Sequence, residues 1–295
     1  AMIHVVKIGG NVVENPEMLR AFVKDFASMP GQKVLVHGGG VMASRLQKDL
    51  GMTPVMIEGR RVTDAQTLQV VTMAYAGWCS KHIVALLQAE GCNAAGLSGA
   101  DGNAICAKKR PPIKVAAAAL PGNEASPSPD EFRMVDYGYV GDVDASGVNA
   151  GFLHMLIDAG IVPVLCAINH DGNGNLLNTN ADTIASSVAI ALAGHSTTDA
   201  TGHDEVELTF CFEKDGVLYD RDDDSSIIPE MDNEMFSRLR AEGKIADGMI
   251  PKLSGAFKAI SSGVSRVTIK HARNLLRDIG TVLTGHAKTS TDELH

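Results

Sequence analysis

The sequence predicts an α/β fold in which helices pack on the faces of a mainly parallel sheet. The chain opens with two apolar strand patterns, 3–8 and 33–37, each followed by an amphipathic helix pattern, 16–28 and 41–50. This alternation is typical of parallel sheets. Hydrophobic residues make up 45% of the 295 residues, but aromatic residues only 4%. A core built mainly of Ala, Val, Ile, Leu and Met suits helices that cover a buried sheet.

The two opening helices carry recognisable signals. Asn15, Pro16 and Glu17 supply a cap, a proline at the first helical position and an acid in the first turn. The second pattern has one apolar side, formed by Val41, Leu46 and Leu50. Both patterns therefore predict helices that pack on the opening strands.

The later elements follow from the same periodicities. The pattern 64–90 predicts one long helix, capped by Thr63 or Asp64, and the pattern around Gly138 predicts a hairpin of strands 132–136 and 139–143. The segment 108–130 breaks these patterns with prolines and a run of alanines, which indicates a surface insertion or a β-excursion of little catalytic interest. The other predicted elements are strands 55–57, 91–97, 161–165, 206–212, 266–270 and 281–284 and helices 146–158, 181–192, 231–242 and 251–262.

Two glycine-rich turns follow the opening strands. Gly9-Gly10 comes after Lys7, and Gly38-Gly39-Gly40 comes after His37. Glycine lets a ligand approach the main chain, and a helix start presents free N–H groups and a positive dipole end. Either turn alone is typical of a tight connection between a strand and a loop. Together with Lys7, they predict two walls of one phosphate-binding pocket.

Four further residues carry charge beside a predicted helix start. Arg60 and Arg61 precede the long helix, and the pair suits either a carboxylate ligand or a solvated loop. Asp182 lies in the first turn of a helix capped by Asn180, which is also an ordinary place for an acid. Lys252 lies in the first turn of a later helix, where a cation opposes the dipole. A residue placed against local preference is more often functional.

The turn 169–175 is rich in residues that tolerate unusual backbone angles. Asp171, Asn173 and Asn175 imitate the start of a calcium-binding loop. The downstream acid of that motif is missing, so the sequence favours a simple turn over a calcium site.

Bulk properties argue against several classes of protein. The net charge is −9 and there is no basic stripe, so nucleic acid is not expected as a partner. The five cysteines are odd in number and include no C-x-x-C pair. A disulfide framework or structural zinc is therefore disfavoured, and a cytoplasmic, reducing compartment is expected. The sequence contains no recognisable signal peptide or apolar run of transmembrane length, so no membrane partner is expected.

Five motifs occur along the chain. They are Lys7-Ile8-Gly9-Gly10, His37-Gly38-Gly39-Gly40, Gly59-Arg60-Arg61-Val62-Thr63, Asn178-Thr179-Asn180-Ala181-Asp182 and Asp247-Gly248-Met249-Ile250-Pro251-Lys252. They occur in the order and rough spacing of N-acetylglutamate kinases, and the chain resembles that group of the amino acid kinase family over about residues 2–284. The resemblance implies an open three-layer αβα sandwich with an N-lobe, 1–168, that binds an N-acylated glutamate and dimerises. It also implies a C-lobe, 169–295, that binds ATP, with Mg²⁺ carried by the nucleotide.

The implied reaction transfers the γ-phosphoryl group to the side-chain carboxylate, the second step of arginine synthesis by the acylated route. By the resemblance, Lys7 and Lys252 hold the transferring group from two sides. Asp182 organises the two lysines, since an ionised carboxylate nucleophile needs no general base. The main-chain N–H groups that would donate to the phosphoryl oxygens are those of Gly10 and Gly39, with Gly9 and Gly38 nearby.

The resemblance also implies substrate and nucleotide contacts. Arg61 would clamp the α-carboxylate of the acylglutamate, with Asn178 beside it and Gly38 and Gly39 lining the same site. Relatives commonly carry Ser-Asp ahead of the glycine in their nucleotide strand, but this chain has another sequence there. The implied nucleotide contacts are Glu213 and Gly216, together with Lys7, Gly9, Gly10 and Lys252.

Arg60 stands where the family usually has an apolar residue. An extra cation suits an extra carboxylate, so N-succinylglutamate is an alternative substrate. Kinases of carbamate, aspartate, glutamate or UMP are disfavoured by the loop 59–63 together with the motif 178–182. A dinucleotide-binding oxidoreductase is disfavoured because the glycines do not form G-x-G-x-x-G. A non-catalytic amino-acid sensor on the same scaffold would not need both lysines.

The resemblance also bears on assembly. Arginine-inhibited relatives carry an extra helix before the first strand, and this chain resembles the arginine-insensitive homodimers instead. The pattern 64–90 is apolar on more than one face and is the candidate dimer contact. A helix buried within its own subunit would show the same pattern.

Overall fold

A central sheet organises the computed structural model, which describes residues 2–122, 128–195, 204–246 and 248–285. The strand order is β6-β8-β7-β5-β1-β2-β4-β3, and the neighbours are parallel except β7 with β8. This architecture confirms the predicted α/β class with its mainly parallel sheet. The strands are β1 Met2–Ile8, β2 Gln32–His37, β3 Ala94–Leu97, β4 Val162–Leu165, β5 Glu205–Phe212, β6 Glu230–Met231, β7 Arg266–His271 and β8 Thr281–Leu283.

Helices cover the sheet, and α2 begins with the predicted cap, since the Asn15 side chain accepts a hydrogen bond from the N–H of Met18. The helices are α1 Gly10–Glu14, α2 Pro16–Ser28, α3 Gly40–Asp49, α4 Ala65–Thr72, α5 Ser80–Ala89, α6 Ala150–Asp158, α7 Ala181–Gly194, α8 Asn233–Ala241 and α9 Met249–Ser261. Short 3₁₀ turns occur at Asp101–Asn103, Ala117–Ala119, Ala145–Gly147 and Ala272–Asn274.

Alternating side chains of the central strands build a core on each face. Val5 packs with apolar residues of α7 and α9, whereas its neighbour Val6 packs with those of α2. Successive side chains of a strand point to opposite faces. The same alternation therefore directs Lys7 to the face of Val5, beneath α7.

The long predicted helix is interrupted. α4 and α5 are joined by a π-helix, Met73–Cys79, a rare form that is frequent at functional sites. By length and composition alone, Ala65–Ala89 could cross a membrane, but 44% of its apolar window is buried in the fold. Val71 and Ile83 each pack in one of the two cores, so burial within the domain accounts for much of the apolar pattern.

The predicted apolar side of α3 is confirmed at Leu46, which packs against the core, but it is wrong at Val41 and Leu50. Val41 is 40% exposed and Leu50 57% exposed, whereas Ala43 and Gln47 are buried. The helix turns Gln47 inward because its amide hydrogen-bonds to buried polar partners, Arg61 and Thr67. Specific polar contacts outweigh the burial of scattered apolar residues here.

The predicted hairpin around Gly138 is also wrong. Phe132–Val135 pairs with Ile113–Ala116, and Gly141–Asp142 pairs with Lys108–Lys109. Gly138 has a φ of 77°, and a Cβ there would lie 2.3 Å from the carbonyl oxygen of Thr63. The chain is pinned beside Thr63 at that point, so its two arms pair with the segment 108–116 and not with each other.

Two short hairpins complete the described structure. Met56–Ile57 pairs with Arg60–Arg61, and Ile168–His170 pairs with Leu176–Asn178. The turn of the second hairpin is closed by Asp171, whose carboxylate accepts from the N–H groups of Asn173 and Asn175. Its strand Leu176–Asn178 leads into α7.

Candidate active site

The carboxyl ends of β1, β2 and β5 meet at one edge of the sheet, the edge at which parallel sheets bind ligands. Two adjoining pockets open there and share Gly38, Gly39 and Gly40. We call the first the lysine pocket; its lining includes Lys7, Gly10, Asn11 and Asp182. We call the second the arginine pocket; its lining includes Arg60, Arg61, Tyr75, Asn178 and Asn180.

Lys7 and Lys252 converge on Asp182, although they are far apart in sequence. The Lys7 Nζ lies 2.9 Å from Asp182 Oδ1, and the Lys252 Nζ lies 3.9 Å from Asp182 Oδ2. Lys252 reaches the carboxylate from a neighbouring cleft between α7 and α9. The cluster holds two cations and one anion, so it retains a positive charge for an anionic ligand.

Burial and charge act against each other in this cluster. Burial opposes ionisation of Asp182, but Lys7 and then Lys252 offset it and hold the pKa of the carboxyl below its usual value. Burial lowers the pKa of Lys252, while Asp182 acts to raise it. The Lys252 ammonium also lies 5.0 Å from the ring centre of Phe212 and 5.6 Å from that of Phe210, which favours the cation.

The glycines of the two turns differ in whether the surrounding atoms leave room for a Cβ. Gly39 has a φ of 156°, and a Cβ there would lie 2.9 Å from Tyr75 Cδ1 and 3.0 Å from Cys79 Sγ. A Cβ on Gly10 or Gly38 would meet nothing closer than 3.5 Å. Packing therefore demands glycine at position 39 only. Within the described residues, the N–H groups of Gly10 and Gly39 have no hydrogen-bond acceptor.

Arg61 is buried, with 5% of its surface exposed, and it makes no ion pair within the described part of the chain. Its Nη1 donates to Gln47 Oε1 at 2.6 Å, and its Nη2 donates to Gly40 O and Ser44 Oγ at 3.0 Å each. Its Nε has no hydrogen-bond partner among the residues that the structure describes. Buried charges are normally paired, so this guanidinium is suited to a carboxylate entering the pocket.

Arg60 lies at the rim of the arginine pocket. Its Nη1 lies 3.9 Å from Asp142 Oδ1, and Arg110 contacts the same oxygen at 2.8 Å. Burial and then Arg110 lower the pKa of Arg60, whereas Asp142 acts to raise it. The extra cation therefore already has a protein carboxylate as a partner, which it shares with Arg110.

Asn178 is held beside Arg61 by a short relay. Its Nδ2 donates to Thr63 Oγ1 at 3.2 Å, and that hydroxyl donates to Arg61 O at 2.9 Å. Further along, Asn180 caps α7 by accepting from the N–H of Thr183. The cap fixes the first turn of the helix, which carries Asp182.

The implied nucleotide contacts lie just beyond β5. Glu213 accepts a hydrogen bond from Asn11 Nδ2 at 2.9 Å, which links it to the first glycine turn. Gly9 caps α1, and its N–H donates to Cys211 O at 3.1 Å. Gly216 is buried against β8, where a Cβ would lie 2.8 Å from Thr281 Oγ1. Packing thus explains the glycine at 216 without a ligand.

Sequence reasoning missed three contributors to the site. Gln47 and Ser44 hold Arg61 from behind, and Tyr75 lines the arginine pocket from the π-helix. Burial raises the pKa of the Tyr75 hydroxyl, against the effect of nearby Arg61. The sequence contained a signal for Gln47, because this residue lies four positions after Ala43 and therefore shares a helix face with it. The π-turn leaves no comparable pattern in the sequence.

Among the residues that the structure describes, no three His, Cys, Asp or Glu side chains are arranged to hold a metal ion. The lysine pocket instead offers the Lys7 ammonium group and free main-chain N–H groups, and the Lys252 ammonium group lies in the neighbouring cleft. These suit phosphate oxygens, so the donor set fits a nucleotide that carries its own cation. Asp247, the first residue of the last sequence motif, lies outside the described residues.

Comparison with known proteins identifies the family. The family model described as "Amino acid kinase family" matches residues 2–271. The chain belongs to the amino acid kinase family. It is 48% identical to the acetylglutamate kinase of Phocaeicola vulgatus over 95% of this chain and 97% of that protein. It is also 36% identical to the acetylglutamate kinase of Methanopyrus kandleri, over 95% of this chain and 99% of that protein.

Solved structures of other proteins share the fold. N-acetylglutamate synthase from Neisseria gonorrhoeae, complexed with coenzyme A and N-acetylglutamate, matches with a TM-score of 0.73 at 23% identity, over 97% of this chain and 60% of that one. Carbamate kinase from Giardia lamblia bound to AMP-PNP matches with a TM-score of 0.58 at 15% identity, over 96% of this chain and 98% of that one. At these identities the likeness extends to the fold alone.

Proposed function

We propose that this protein is an acetylglutamate kinase that transfers the γ-phosphoryl group of ATP to the side-chain carboxylate of N-acetyl-L-glutamate, a step of arginine biosynthesis. The observation that carries the proposal is the convergence of Lys7 and Lys252 on Asp182 beside a buried arginine that has no counter-ion in the described part of the chain. A migrating phosphoryl group and a carboxylate substrate are the two anions that this arrangement needs. Relatives that match nearly the whole chain carry the same activity in their names.

In this mechanism a carboxylate oxygen attacks the γ-phosphorus, the bond to the β-phosphate oxygen breaks, and ADP leaves. Catalysis then rests on positioning and on neutralising charge. Lys7 and Lys252 balance the charge of the transferring group, and the N–H groups of Gly10 and Gly39 donate to its oxygens. The attacking carboxylate is already ionised, so Asp182 accepts no proton. It holds the two ammonium groups in place.

The arginine pocket binds the acylglutamate substrate. Arg61 pairs with the α-carboxylate through the donors that Gln47, Ser44 and Gly40 leave free, and Asn178 contacts the neighbouring polar atoms of the substrate. Glu213 and the segment around Gly216 lie toward the nucleotide. Mg²⁺ carried by ATP supplies further neutralisation of phosphate charge. In this proposal residues 1–168 form the lobe for the acylglutamate and residues 169–295 the lobe for ATP.

The decisive experiment measures ADP release with N-acetylglutamate and traps the product with hydroxylamine, which converts an acyl phosphate into a hydroxamate. We expect ADP and hydroxamate in equal amounts. ADP without hydroxamate would indicate simple ATP hydrolysis and would overturn the proposal. Lys7→Ala serves as the inactive control.

The succinyl alternative is not favoured. The full-length relatives carry acetylglutamate in their names, and the cation that suggested an extra carboxylate, Arg60, already faces Asp142. N-succinylglutamate belongs in the same assay as a second substrate. Turnover with the succinyl compound alone would change the acyl group in the proposal and leave the chemistry intact. A non-catalytic sensor would turn over neither compound.

We propose further that the protein is a cytoplasmic homodimer that pairs through the long helix. Met73 is 55% exposed and Trp78 60% exposed, and the Trp78 ring stacks on His82. Exposed apolar side chains of this size are typical of an interface. Light scattering after size exclusion would give a dimer for the wild type and a monomer for Trp78→Glu. A monomeric wild type would refute the assignment.

A further inference from the structure

The histidine before the glycine turn has contacts that its burial does not explain. His37 is fully buried at the end of β2. Its Nδ1 lies 2.7 Å from Gly38 O, and its Nε2 has no hydrogen-bond partner in the described structure. A carbonyl oxygen only accepts hydrogen bonds, so Nδ1 carries the proton and donates it. An apolar side chain would fill the same space without the unpaired nitrogen.

The hydrogen bond fixes the direction of one peptide group. Gly38 C=O and Gly39 N–H belong to the same planar peptide, and the described chain has no cis peptide bond. In a trans peptide these two groups point in opposite directions. A carbonyl held toward the buried imidazole therefore turns the Gly39 N–H away from the core. That N–H has no acceptor within the described residues, and Gly39 lines both pockets.

The backbone of the glycine turn is conformationally free, and the hydrogen bond from His37 would restrict it. Two consecutive glycines flank the peptide, and glycine accepts many backbone conformations. From the other side, the Tyr75 ring and Cys79 Sγ would lie 2.9 Å and 3.0 Å from a Cβ at Gly39, so they limit where that residue moves. They do not set the direction of its N–H. His37 is the only side chain in the described structure that hydrogen-bonds to this peptide.

We propose that His37 is a positioning residue that aims the Gly39 N–H at the transferring phosphoryl group. This inference rests on the proposed phosphoryl transfer and adds a residue to it. Burial, and to a smaller extent Lys7, lower the pKa of His37 to about 4, so the imidazole stays neutral at the pH of the cytoplasm. The neutral tautomer with Nδ1–H is the one that can hold the carbonyl.

Three substitutions separate the hydrogen bond from the volume of the side chain. Asn carries an N–H donor where Nδ1 lies, Gln carries one nearer to Nε2, and Leu has no donor. With N-acetylglutamate and ATP we expect His37→Leu and His37→Gln to lower kcat by about tenfold or more, because a misdirected N–H no longer meets the developing charge. We expect His37→Asn to stay within about threefold of wild type.

A second readout excludes a purely structural effect. ADP with aluminium fluoride imitates the transferring group. We expect its affinity to fall with kcat across the series, while the KM for ATP stays within about twofold. His154→Leu is the matched control, because His154 is also a buried histidine, with its Nε2 3.7 Å from Asp204 Oδ2, but lies outside both pockets. It should leave kcat unchanged.

The outcomes distinguish a failure of the proposed function from a failure of the role inferred for His37. If the wild type does not turn over, the proposed function fails. If the wild type is active and folded His37→Leu matches it in kcat, the inference about His37 fails alone. If kcat follows the melting temperature of the variants and not the presence of the Nδ1-like donor, the residue is structural and the inference is equally refuted.

Discussion

The lysine pocket and the arginine pocket hold their charges in opposite ways. Lys7 and Lys252 share a carboxylate, so their cluster is partly neutralised before any ligand arrives. Arg61 is just as buried but is held only by neutral oxygen atoms. The first arrangement suits the phosphoryl group of a nucleotide, because the cation that the nucleotide carries already balances part of its negative charge. The second lacks its anion until a carboxylate enters, so the substrate itself completes the site.

The strongest test of this contrast removes one lysine. In Lys7→Ala the phosphoryl group loses one of its two cations and Asp182 loses its closest partner. We expect kcat to fall about a hundredfold to a thousandfold, measured as ADP release with N-acetylglutamate. Lys24→Ala, an exposed change on α2, should have no effect. A similar loss in both variants would show that the assay reports general damage.

The arginine pocket should respond in a different kinetic parameter. In Arg61→Leu we expect kcat/KM for N-acetylglutamate to fall about a hundredfold, with the KM for ATP within about twofold of wild type, because a carboxylate loses its charged donors. Arg266→Leu, an exposed arginine at the start of β7, is the control. An equal rise in both KM values would mean that the two pockets are not separate in function.

The turn shared by the pockets should make folding sensitive to acid. The folded-state pKa of His37 is about 4, below the unfolded value of about 6.5, so the unfolded chain binds more protons between these values. Stability should therefore decrease as the pH falls from 6.5 to 4, by about 3 kcal/mol from this residue. Urea unfolding at several pH values, compared with His37→Asn, measures the contribution. Equal pH slopes would contradict the assignment.

The smallest effects distinguish neighbouring glycines. Gly39→Ala forces a positive φ on alanine and a clash with Tyr75, and we expect it to destabilise the fold by about 1–3 kcal/mol. Gly38→Ala meets only Ala181 at 3.8 Å and should leave the melting temperature nearly unchanged. The two melting temperatures give the answer directly. Similar losses would indicate that close packing extends along the whole turn.

Much of the molecule follows from local pattern. The period of two in the opening strands, the cap at Asn15 and the glycine turns are sequence-local features, and they gave the α/β class and the carboxyl-end position of the turns. The alternation along β1 also determines that Lys7 shares a face with Val5. These features are readable because strand and helix periods are fixed by backbone geometry.

Other features depend on partners that are distant in the chain. The inward turn of Gln47, the π-helix at Met73–Cys79 and the pairing of 132–135 with 113–116 arise from contacts across the fold. Local hydrophobic pattern carries no record of such partners. The sequence alone therefore determined most strands of the central sheet, most of the helices and which residues carry charge. Only the tertiary structure decided that Lys7, Asp182 and Lys252 meet, and that Arg61 is buried with no counter-ion among the described residues, because long-range packing sets both distance and burial.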